Sequence, residues 1–218
     1  MSDTMSTETQ SAFATNNKAI AISTVGYMCI AMTWWMTGML MAGWFTPATT
    51  TTTGISTGTI YAVGSALLII IGILSLVYGK RALDSIVFLS TAGLFFSLHS
   101  AQMATITGGV IPGYMGWYAL VWAVFFCYLW VSSLLHGTGT IRMLFLLLFW
   151  LGALAAAIGG WTGSHGFDVL CGYLLLVTAI LSFIVSAADI LGHDPDAILS
   201  PKMKLPVNPS IQPHPGTV

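Results

Sequence analysis

Charged and polar side chains inside an apolar chain are the residues best placed to do chemistry, and this sequence has few of them. Its 218 residues include 6 Lys or Arg and 7 Asp or Glu. Within apolar runs the candidates are His99 and Gln102, three residues apart and therefore one turn apart on a helix, together with Asp84, Asp168 and Asp189. A His and Gln pair can serve a pore mouth or pass a proton, or it can simply bond to neighbouring helices. The three aspartates stand near the ends of their runs, where headgroups or water solvate them. The chain therefore shows no relay of buried carboxylates and no buried cation to hold an anion.

Other chemistries find little support. His99, His165 and Asp168 fall on one predicted side, but no HxxH or HExxH spacing occurs, and the single glutamate is Glu8 in the N-terminal segment. Cys29, Cys127 and Cys171 lie in apolar runs with no CxxC spacing, which reads as packing and not as a disulfide or zinc framework. No nucleophile elbow accompanies a Ser, His and Asp set. No enzyme, metal or cofactor is expected. A net charge of −1 offers no basic face for nucleic acid.

The elements that must position these side chains follow from hydropathy. Apolar residues make up 56% of the chain and charged ones 6%, against about a quarter charged in soluble domains. Lipid is thus the expected partner of most of the surface. Long apolar runs give six spans at about 19–45, 58–78, 82–103, 114–135, 141–161 and 167–191, each near the ~20 residues needed to cross a bilayer. They lack the alternation of membrane strands, so the fold class is an all-α integral membrane bundle. Residues 1–17 read as a disordered tail, 18–191 as the membrane domain and 192–218 as a Pro-rich tail. No compact basic segment with a cleavage site opens the chain, so span one is expected to be retained.

Orientation follows from the basic residues. With six spans, Lys18, Lys80, Arg81, Arg142, Lys202 and Lys204 all fall on one side, and the loops near 46–57, 104–113 and 162–166 carry none. Both termini are expected in the cytoplasm. Two halves of three spans would insert in opposite directions, the plan of a 3+3 inverted repeat with a pathway at its interface. Small residues at i, i+4 spacing, Gly38 with Ala42 and Gly152 with Ala156 among them, suit close helix packing or a pathway wall. Trp44, Trp117 and Trp161 sit at span ends as interfacial anchors; Trp34, Trp35 and Trp150 lie mid-span, where rings fill a bundle, face lipid or narrow a pore.

The stretch GWYALVWAVFFCYLWVSSLLHGTGTIRMLFLLLFWLGALAAAIGG, with the later SAADILGHDPDAILSP, resembles the succinate–acetate permease family, the acetate uptake transporters. The likeness extends more weakly over all six spans. It implies a hexamer in which each subunit carries small carboxylates past an apolar constriction. On this resemblance Tyr27 in VGYM is the aromatic of span one, and Leu151, nine residues after Arg142, is the leucine of span five. Gly93 of TAGLFF aligns so that Ala92 stands where the family has a ring, with Phe95 one turn on. The family signature NPAPxGL, by the substrate entrance, reads NKAIAIS here and keeps only Asn17. Two functions are therefore open. One is a passive or proton-coupled channel or carrier for acetate- or succinate-like acids in the bacterial inner membrane, with Asn17, His99 and Gln102 as pore-mouth polar groups. The other is a non-transporting subunit of a membrane assembly.

Overall fold

The computed structural model describes residues 2–44, 57–78, 82–106, 113–192 and 195–196. Among these the ordered elements are helices: α1 (Ser2–Met41), α2 (Thr57–Tyr78), α3 (Ala82–Ile106), α4 (Tyr114–His136), α5 (Thr140–Thr162) and α6 (His165–Leu191). All six are long and apolar enough to cross a membrane, α1 over Lys18–Met41. The protein is a six-helix integral membrane bundle, as hydropathy predicts, with ends of α2 to α6 within three residues of the expected ones.

The start of α1 differs. The helix continues back to Ser2 through the segment read as a tail. Low apolarity argues against packing there, but the first glycine is Gly26 and the first proline Pro47, so nothing interrupts a helix already nucleated in span one. The loops near 46–57 and 104–112, Lys80, Arg81 and the tail beyond residue 196 lie outside the described residues. So do the side chains of Asn17 and Gln102.

α1 packs along α6 and α2, α2 along α3, and α5 between α4 and α6, so the helices ring a common centre. α3 and α4 meet only sparsely, whereas α1 and α6, their counterparts in a 3+3 exchange, form the most extensive pair. The halves run in opposite directions without packing equally. Two close approaches require glycine. A Cβ on Gly172 would stand 2.3 Å from the Ala42 amide nitrogen and 2.8 Å from the Gly38 carbonyl oxygen, which fixes α6 against α1. A Cβ on Gly160 would stand 2.6 Å from the Gly116 nitrogen, which fixes α5 against α4. Both are the small-residue contacts by which membrane helices gain dispersion energy. The outer faces are apolar, with Val121, Val124, Tyr128 and Leu135 of α4 exposed.

Candidate pathway through the bundle

All six helices contribute to a central cavity of about 200 Å³. Liquid water takes roughly 30 Å³ per molecule, so the space suits a few waters or one small acid. Gly152, Ala156 and Gly160 of α5 line it without bulk, so two of the small residues noted in the sequence lie on the cavity. Trp34 of α1, Tyr61 of α2 and Trp122 of α4 also line it. Among the described residues the one charged side chain on its lining is Asp168. Trp34 is also buried with no hydrogen-bond acceptor for its Nε1. A buried donor without a protein acceptor at such a site has a hydrogen bond to offer to whatever enters.

Aromatic rings close the cavity toward the Arg142 end. Trp34 meets Phe95 and Phe149 edge-on, each at 4.9 Å between centroids, and Phe149 stacks on Phe126 at 3.8 Å. Seven residues back along α1, about 10 Å of helix rise, Tyr27 meets Phe88 at 5.2 Å and Phe145 at 5.9 Å. Gly26 makes room for this, since a Cβ there would stand 2.4 Å from the Phe88 ring. Tyr27, Ala92 and Phe95, three of the four residues singled out for the constriction, thus share one fully buried cluster. Leu151 is not brought to it. It is half-buried and lines no described cavity, while Phe149 and Gly152 of the same helix face the centre.

Below the rings lies a polar knot from four helices. The Tyr27 hydroxyl donates to Asp84 Oδ1 at 2.8 Å, and Ser23 Oγ donates to Asp189 Oδ2 at 2.7 Å. The Arg142 guanidinium stands between the two carboxylates, with Nη2 at 3.4 Å from Asp189 Oδ1 and Nε at 3.9 Å from Asp84 Oδ1. Its Cζ lies 5.7 Å from the centroid of the Tyr27 ring. Arg142 is 5% exposed, so the expectation of no buried cation is corrected. The reason is packing: α1, α3 and α6 bring neighbours around the start of α5, and the buried Pro195 with Asp196 closes over it. The signal was present in the sequence, because Asp84, Arg142 and Asp189 all fall at span ends on one predicted side.

No family model matches the sequence, and no curated protein matches it. Among solved structures the chain is similar to the bacterial acetate channel SatP, with a TM-score of 0.66 over 85% of this chain and 97% of that one, at 17% identity. The fold is shared with SatP. The likeness to the acetate permeases seen in the fourth to sixth spans therefore extends to the architecture.

In this SatP-like bundle the knot opens on a vestibule of about 730 Å³ lined by Asp84, Arg142, His136, Asp196 and the α4–α5 turn. Gly137 and Gly139 make that turn at φ of +60° and +97°, a region that other residues rarely adopt. Asp196 caps α5, accepting from the Thr140 amide at 2.7 Å and the Ile141 amide at 2.9 Å. Burial opposes its charge, but those two amides and Arg142 outweigh that and hold the carboxyl below its usual range. The pore-mouth candidates fare unequally. His99 is half-buried and its Nδ1 donates to the Gly58 carbonyl at 2.9 Å, which ties α3 to α2 away from the cavity lining. Among the described residues no three His, Cys, Asp or Glu side chains are placed to hold a metal ion.

Proposed function

We propose that this protein is a channel for small monocarboxylic acids of the acetate type, which cross in their neutral form through the centre of each chain. The central cavity carries this reading. Its size suits such a solute, its walls are aromatic and smooth, and its lining presents a carboxylate at Asp168 with an indole donor at Trp34. A carboxylate anion there would be placed among apolar walls beside the acidic Asp168, whereas a protonated acid can accept from Trp34 and keep its proton. The shared fold with an acetate channel supports the same class of solute. In this reading the constriction is the set Tyr27, Phe95, Trp34 and Phe149, with Ala92 the small residue beside it and Phe149 in the part the family gives to a leucine such as Leu151. In this reading the chains assemble as a homo-hexamer in the bacterial inner membrane, and of the mouth candidates His99 serves instead to tie α3 to α2.

Uptake of labelled acetate by liposomes carrying the purified protein is the test. Uptake above empty liposomes, falling as external pH rises, is the expected result. No uptake of acetate or succinate, with a stoichiometric foreign protein in detergent pull-downs, would replace the channel with an accessory subunit.

A further inference from the structure

Buried side-chain polar atoms in folded proteins are nearly always hydrogen-bonded, so each exception asks for a cause. Thr91 of α3 is one such exception. It is 0% exposed, and its hydroxyl has no hydrogen-bond partner. Other threonines of the bundle behave differently, since Thr33, Thr37 and Thr178 each donate to the carbonyl four residues back. We propose that the Thr91 hydroxyl receives the carboxyl group of a neutral small acid as it passes between the two layers of rings, and so selects for hydrogen-bonding solutes. The proposal deepens the channel reading and rests on it.

The register of α3 sets the position. Phe88, three residues before Thr91, and Phe95, four after it, lie on the same face of the helix. Phe88 meets Tyr27 in the layer nearer Arg142, and Phe95 meets Trp34 in the layer at the cavity. Thr91 thus stands between the layers, about 4.5 Å of helix rise from Phe88 and about 6 Å from Phe95. On α1, Ile30 and Ala31 lie midway between Tyr27 and Trp34 and are fully buried too. A solute between the layers is therefore cut off from water, and a carboxyl group left unbonded there carries its desolvation penalty. A hydroxyl at this level lowers the barrier where it is highest.

The neighbouring hydroxyls are committed or lie elsewhere. Ser182 and Ser186 of α6 donate to the carbonyls of Thr178 and Thr24. Thr24, which also has an unpartnered hydroxyl, is three residues before Tyr27 and so on the Arg142 side of both layers. The chemistry of Thr91 suits a protonated acid. A hydroxyl can donate to the acid's carbonyl or accept the acid's proton, whereas the Trp34 indole only donates. An acid leaving Trp34 toward Arg142 meets at Thr91 a group that can take either end of its carboxyl.

Acetate uptake by liposomes carrying Thr91→Val, Thr91→Ser or Thr91→Ala tests this, because Thr with Val and Ser with Ala are two pairs of matched size that differ in the hydroxyl. In each pair the hydroxyl member should take up acetate about fivefold faster, the effect of one hydrogen bond. Melting of Thr91→Val in detergent should hold or rise, since a buried hydroxyl without a partner is replaced by a methyl. Uptake by Thr91→Val equal to that of the unmodified chain would overturn the proposal and leave the channel standing. If Thr91→Val does not fold, equal uptake by Thr91→Ser and Thr91→Ala overturns it in the same way. No uptake by the unmodified chain would remove the channel reading and this proposal with it.

Discussion

Arg142 lies two residues inside α5, and a sequence reading takes it for a loop cation that marks the cytoplasmic side. It is instead held by Asp84 and Asp189, with Tyr27 and Ser23 supplying further hydrogen bonds to those carboxylates. Arg142→Gln takes the shared cation from two carboxylates, and breaking a buried pair costs about 3–5 kcal/mol. Thermal unfolding in detergent should show that loss, with little recovery in Arg142→Lys, because a point charge cannot address both acids as a fork does. Trp34→Phe is the opposite experiment. It keeps an aromatic ring and removes the donor, so stability should fall only by the small cavity left where the indole was, while acetate uptake should fall about fivefold if one hydrogen bond of about 1 kcal/mol steadies the crossing solute. Tyr27 and Phe95 were legible as members of the buried aromatic cluster through a family pattern. Trp34 and Phe149 were not, because a mid-span ring reads the same whether it faces lipid, core or cavity.

Helix ends and glycine contacts decide matters at the scale of the element. Five of the six helices were legible from apolar runs and their Gly, Pro and Thr punctuation; α1 was not fully so, because a polar segment without a breaker carries no stop signal. Gly172→Ala drives a methyl into the backbone of α1, which cannot yield as a flexible side chain can, and should cost about 1–3 kcal/mol or more. Gly93→Ala is the control. Its methyl would meet only Trp122 at 3.5 Å, an ordinary contact, so the same melting assay should register little change. The Asp196 cap on α5 has a pH signature. A carboxylate whose folded pKa is depressed contributes its full stability above its unfolded value, near 3.8, and loses it as pH falls through the lower folded value. Amide exchange protection at Ile141 should therefore hold from neutral pH to about pH 4 and fail below it. Asp196→Asn should flatten that acid limb.

The whole molecule places a small cavity, an aromatic floor, an ion cluster and a wide vestibule in series along one axis. Hydropathy and the one-sided cations made the bundle legible, but spacing along single helices cannot show which faces meet, so the cavity and the cluster emerged only when six faces were brought together. Flux through this series should track the neutral acid. At fixed total acetate and pH well above the acid's pKa, the initial rate should drop about tenfold per pH unit. A flat profile would mean that the anion itself crosses. The ion cluster also bears on how the chain is made. Helices enter the bilayer in order, so α3 arrives with Asp84 while Arg142 is still unsynthesised, and Asp189 arrives only with α6. Charge at a membrane boundary without its partner is tolerated but not fixed in place. The last helix to be inserted is therefore the one that locks three earlier ones, and a nascent chain halted before α6 lacks half of the arginine's carboxylate shell.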